Sequence, residues 1–130
     1  MRSPKHQSIL ILEAQPIVAI DLEATLSDAG FNVAHVATTC RDAMTWLAEN
    51  APDLVVLDIQ LADGDCTEVA LALVERHIPF VVFTGSNPND RQCSPVFSMG
   101  HWVEKPSPTE AVAEAFWALS SADNLYRQRA

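Results

Sequence analysis

The chain is short of positive charge, of cysteine and of long apolar runs, and each shortage excludes a class of function. Its 130 residues carry 8 Lys and Arg against 17 Asp and Glu, a formal net charge of −9. That balance repels nucleic-acid phosphates and anionic membrane surfaces, so neither nucleic acid nor a membrane is expected as a partner. There are only three cysteines, Cys40, Cys66 and Cys93, and no two stand at C-x-x-C spacing. This pattern supports neither a disulfide framework nor a zinc site, and reads as buried or half-buried thiols in a reducing cytoplasm. No segment approaches the ~20 apolar residues a membrane helix requires. The polar, basic start is followed by an apolar run of only Ile9 to Leu12, cut by Glu13, which is too short for a secretory signal. Phosphate-cradling glycine motifs are missing too: no G-x-G-x-x-G and no Walker lysine loop stands in the chain. The expectation is one small acidic cytoplasmic domain, 48% hydrophobic and long enough to bury a core.

What is present is an alternation of strand and helix signals. Ser8 to Leu12 is a short apolar run that reads as a buried strand. Pro16 opens a helix to about Ala29 with Val18, Leu22, Leu26 and Ala29 inward, and Gly30 stops it. Asn32 to Val36 is a second strand, and Thr39 with Asp42 caps a helix ending near Asn50. Asp53 to Leu57 is a third strand, followed by an Asp63-Gly64-Asp65 turn and a helix from about Cys66 to His77. Pro79 to Phe83 is a fourth strand. Pro88 and Pro95 then leave room for only a short or irregular fourth helix, near Pro95 to Met99. His101 to Glu104 is a fifth strand, and Ser107-Pro108-Thr109-Glu110 reads as a helix start with Ser107 as cap. That last helix carries Val112, Ala115, Phe116 and Leu119 on one face, and the polar tail after Asp123 is expected to fray. The fold class is α/β, a doubly wound five-stranded parallel sheet with helices on both faces.

In such sheets the reactive site lies beyond the carboxyl ends of the strands. Here those ends carry Glu13, Asp58, Thr84 and Lys105. Two carboxylates suit Mg²⁺, a carboxylate can accept a phosphoryl group, and a hydroxyl with an ammonium can hold its oxygens. Each residue alone is ordinary turn chemistry. The ordered set is what phosphoryl transfer to an aspartate needs.

With these residues the chain resembles the receiver domain of two-component response regulators, of flavodoxin-like fold. The motifs are Ile9 to Glu13, Asp58 to Gly64, Phe83-Thr84-Gly85 and Val103-Glu104-Lys105-Pro106, and the resemblance runs over residues 8–122. Residues 1–7 fall outside it as a flexible segment and 123–130 as a tail. The resemblance implies that Asp58 is the phosphoacceptor, charged by a histidine kinase or histidine phosphotransfer protein. It implies that Thr84 takes a phosphoryl oxygen and switches, that Lys105 pairs with the phosphoryl group, and that Lys105-Pro106 is cis. It also implies that Gln60 offers its backbone carbonyl to Mg²⁺ alongside Glu13 and Asp58, and that Trp102 holds the aromatic switch position. Pro79-Phe80 and Phe83-Thr84-Gly85, with the broken fourth helix, resemble a subgroup of stand-alone regulators.

One position departs from the pattern. Most receivers carry adjacent acids after the first strand, and here the pair is Glu13-Ala14. Losing that carboxylate should weaken Mg²⁺ binding roughly 10²-fold. Two functions follow: a phosphorylated single-domain regulator, or a degenerate receiver that docks without phosphorylation. No output domain is expected after Ala122, so the signal should leave by contact with a downstream protein partner. The face from Pro95 to Ala122 is the candidate surface, and Trp117 reads equally as surface or as core. A haloacid-dehalogenase-like phosphatase would need an Asp where Gln60 stands, so an enzyme is not expected.

Overall fold

The computed structural model describes residues 7–86 and 94–129. The expectations for residues 1–6, Pro88 and Cys93 lie outside the described residues. The elements are β1 (Ser8–Leu12), α1 (Pro16–Asp28), β2 (Asn32–Ala37), α2 (Cys40–Leu47), β3 (Leu54–Leu57), β4 (Gln60–Leu61) and β5 (Gly64–Asp65). They continue with α3 (Thr67–Glu75), β6 (Phe80–Thr84), a 3₁₀ helix (Pro95–Met99), β7 (His101–Glu104) and α4 (Glu110–Arg129).

Five strands form a parallel sheet in the order β2-β1-β3-β6-β7. The chain first steps outward from β1 to β2, then crosses back to β3 and on to the other edge. The order therefore reverses between β1 and β3, where a doubly wound sheet opens its crevice. Side chains alternate across the pleat and feed two cores. Leu10, Leu12, Val55, Leu57 and Val82 pack with α2, α3 and Phe97 of the 3₁₀ helix. Ile9, Ile11, Val56, Val81 and Phe83 face the other way, onto Leu22 and Leu26 of α1 and Val112 and Phe116 of α4. Both faces of the central strands are buried, which is why they read as continuous apolar runs.

Local signals explain most boundaries. Pro16 sits in the first turn of α1, where its missing N–H costs nothing. Gly30, at φ 98°, ends the helix: its N–H donates to the Ser27 carbonyl, and Phe31 N–H donates to the Leu26 carbonyl, each at 3.0 Å. This is a Schellman close, sealed by burial of Phe31 and Leu26 in one cluster. The Thr39 hydroxyl accepts from Asp42 N–H at 3.0 Å, as the capping signal anticipates. Gln7 is already tied in, because its carbonyl accepts from Asn32 N–H.

Three expectations need correction. The Asp63-Gly64-Asp65 turn is part of a small antiparallel hairpin, β4 with β5, whose Gly64 takes φ 130°. The last helix starts at Glu110, because the Ser107 hydroxyl donates back to the Glu104 carbonyl at 2.6 Å instead of capping. That helix runs to Arg129, past Asp123, since no glycine or proline lies between Glu110 and Arg129 to stop it.

Candidate functional site

Each strand end delivers its side chain by the register of the sheet. Glu13 N–H donates to the Ala37 carbonyl and Asp58 N–H to the Leu12 carbonyl, so the carboxylates continue the ladder side by side over the β1–β3 crevice. Thr84 closes β6, and Lys105 N–H donates to its carbonyl at 2.8 Å. The Lys105-Pro106 peptide is cis, as the motif implies.

The four side chains meet. Asp58 Oδ1 accepts from Thr84 Oγ1 at 2.8 Å and Asp58 Oδ2 from Lys105 Nζ at 3.0 Å. Lys105 Nζ also reaches Glu13 Oε1 at 2.9 Å, so one ammonium bridges both carboxylates. Glu13 Oε2 accepts from Gln15 N–H at 3.1 Å, and Asp58 Oδ1 takes a longer bond from Gln60 N–H. Glu13 is 1% exposed and Thr84 2%. A carboxylate buried that deeply requires a paired charge, and Lys105 supplies it. Burial pulls the Lys105 ammonium down in pKa, but its hydrogen bonds to Glu13 and Asp58 outweigh this and hold it above its ordinary value. Its ammonium also lies over the Phe83 ring, with Nζ 5.3 Å from the centroid.

The donor set is of the kind Mg²⁺ takes. Glu13 and Asp58 carry hard oxygens, the Gln60 backbone carbonyl would be a third, and Mg²⁺ keeps several waters of its own. Position 14 supplies none: the half-buried Ala14 packs against the core cluster. Among the described residues, no group of three or more His, Cys, Asp or Glu stands together to hold a metal.

The profile of the response regulator receiver domain family matches residues 9–116. The chain belongs to that family. Curated relatives include the phyllosphere-induced regulator PhyR of Methylorubrum extorquens, 31% identical over 88% of this chain and 45% of its own length. The chain thus spans less than half of that relative. Among solved structures, SdrG from Sphingomonas melonis Fr1 is 29% identical with a TM-score of 0.72, over 91% of this chain and 98% of that one. The anti-anti-sigma factor PhyR from Bartonella quintana is 25% identical with a TM-score of 0.73, over 96% of this chain and 52% of that one. These likenesses bear out the flavodoxin-like receiver fold. Receiver domains and PhyR-type regulators are signalling proteins rather than enzymes.

The remaining expected residues fall as follows. Trp102 lies on β7, half-buried against the same cluster as Phe97. Its indole N–H is buried and finds no hydrogen-bond partner among the described residues. Gln60 is exposed in β4. Trp117 is half-buried against Phe31, with ring centroids 5.8 Å apart, so its core reading holds. Two residues were missed by the sequence reading. Ile17 and Ile20, in the first turns of α1, are 83% and 67% exposed. Their signal was available, because both lie off the inward stripe of Leu22 and Leu26. No described helix is long and apolar enough to cross a membrane.

Proposed function

We propose that this receiver accepts a phosphoryl group on Asp58 from a histidine kinase or histidine phosphotransfer protein, in the cytoplasm, and passes the signal to a downstream protein by contact. The observation that carries this reading is the double hold on Asp58, by the Thr84 hydroxyl on one oxygen and the Lys105 ammonium on the other. A carboxylate oxygen of Asp58 attacks phosphorus, the bond from phosphorus to the donor breaks, and an acyl phosphate forms. Lys105 and Thr84 then transfer their hydrogen bonds from the carboxylate to the phosphoryl oxygens, which carry the greater charge. Thr84 already lies against Asp58, so that exchange fixes it there, and Trp102, on the neighbouring strand, answers it. Glu13, Asp58 and the Gln60 carbonyl would hold Mg²⁺, which when bound neutralises phosphoryl charge. With only two acids that affinity is low.

The exposed apolar pair Ile17 and Ile20, in the first turns of the helix that follows Glu13, supplies a seat for the phosphoryl donor protein. The likeness to a protein named as an anti-anti-sigma factor supports a protein, rather than nucleic acid, as the downstream target. Ala14 favours a second reading, a degenerate receiver that docks unphosphorylated. Incubation with acetyl phosphate and Mg²⁺, followed by intact-mass measurement, separates the two. The proposal requires the mass of one phosphoryl group, absent from Asp58→Asn. The docking reading requires no gain.

A further inference from the structure

Two thiols that are distant in sequence meet on the side of the sheet opposite α1. Cys40 opens α2, and Cys66 is the residue before α3. Their sulfurs lie 3.0 Å apart, close enough to share a hydrogen bond. Both are free cysteines. The surroundings fix the approach. Asp63 Oδ1 accepts from Cys40 N–H at 2.7 Å and Asp63 Oδ2 from Arg41 N–H at 3.1 Å, which docks the β4–β5 hairpin on the start of α2. The Cys66 N–H donates to the Ile59 carbonyl at 2.8 Å, one residue beyond Asp58. Cys66 is fully buried, whereas Cys40 is half-buried. Cys40 also lines an open surface groove with Arg41, Met44, Asp63, Asp65 and Glu68, so a small oxidant can reach its sulfur.

We infer that Cys40 and Cys66 form a reversible disulfide, which staples α2 to the segment that follows Asp58. The oxidant class is a peroxide. The Cys40 thiolate attacks one peroxide oxygen, the O–O bond breaks, and a sulfenic acid and water result. The Cys66 sulfur then attacks the sulfenic sulfur, its proton leaves with the hydroxyl as a second water, and the S–S bond forms. The two sulfurs lose two electrons and the two peroxide oxygens gain them. A dithiol reverses the step by exchange. The sulfurs need to close by only ~1 Å to reach bonding distance. Burial pushes both thiols above their ordinary pKa, most strongly for Cys66, so thiolate is scarce and the reaction is slow at neutral pH. Disulfides of reducing compartments are usually of this transient, sensing kind.

The test uses the full chain, reduced, desalted and held with hydrogen peroxide in mildly alkaline buffer. It is then alkylated under denaturing conditions and weighed. The inference predicts one alkylated thiol in place of three, and a proteolytic peptide joining Cys40 to Cys66. It also predicts recovery of all three thiols by dithiothreitol and a Tm raised by roughly 10 °C in the oxidised form. Cys93→Ala should leave the cross-link intact, and Cys40→Ala, at the half-buried partner, should abolish it. Three alkylated thiols after treatment, a bridge to Cys93, or over-oxidation of Cys40 without a bridge would each overturn it. None of these outcomes depends on whether Asp58 is phosphorylated.

Discussion

Lys105→Met is the most informative single perturbation. It keeps an unbranched side chain of similar length and removes the charge that lies over Phe83 and bridges Glu13 and Asp58. At ~3 Å and an effective dielectric of ~20, each contact has a gross attraction of ~6 kcal/mol. Desolvation of the ammonium and of Glu13 offsets much of it. Breaking a buried pair from one side typically costs 3–5 kcal/mol, because the other charge is left uncompensated. The Lys105 side chain retains 19% exposure, against 1% for Glu13, so the low end applies, ~3 kcal/mol. If the loss comes from a stranded Glu13 charge, Glu13→Gln should rescue most of it. A double-mutant cycle in urea should therefore show a coupling of ~2 kcal/mol between positions 13 and 105. Additive single losses, with coupling under ~0.5 kcal/mol, would refute the reasoning and reduce Lys105 to a packing residue. The pH dependence gives a second signature. The folded pKa of Lys105 is raised above its ordinary 10.5, so its stabilisation is complete below that value and is lost as pH rises through the higher folded value. The wild type should lose stability above that range more steeply than Lys105→Met.

Thr84→Val keeps the buried shape and deletes the donor to Asp58. It should cost ~1 kcal/mol in urea unfolding and slow acetyl-phosphate labelling about tenfold, the weight of one charge-assisted hydrogen bond. Ala14→Asp restores an acid beside Glu13 and should tighten Mg²⁺ roughly 10²-fold by tryptophan-fluorescence titration; an unchanged affinity would mean that residue 14 does not face the cation. Gly100→Ala places a methyl group against the Phe80 ring and 2.8 Å from the Phe80 carbonyl oxygen, and should destabilise the fold by about 1–3 kcal/mol. Replacing Ile17 and Ile20 together by Ser should leave acetyl-phosphate labelling intact while slowing transfer from a phosphotransfer protein.

The sheet and the site chemistry were legible because they rest on patterns that survive without tertiary information. Three central runs are apolar on both faces, and they and the edge strand β7 each lead into a functional group at the same edge of the sheet. The close at Gly30 and the Thr39 cap are likewise local chemistry. What escaped notice depends on distance in space. The β4–β5 hairpin has strands of two residues, too short to show alternation. The Ser107 hydroxyl can accept from a helix N–H or donate to a strand-end carbonyl, and only the folded strand end shows that the Glu104 carbonyl wins. Cys40 and Cys66 stand 26 residues apart, and an odd cysteine count hid a pair that the α2–hairpin contact brings together. Trp117 was ambiguous because an aromatic on a terminal helix serves core or surface equally well, and contact with Phe31 decides it.

The central claim is that Asp58, held by Thr84 and Lys105, remains a working phosphoacceptor although position 14 is alanine. Intact-mass measurement after acetyl phosphate and Mg²⁺, on the wild type and on Asp58→Asn, tests it most directly. The account predicts a single phosphoryl adduct on the wild type and none on the variant. An unmodified wild type, or an equal adduct on both proteins, would contradict it.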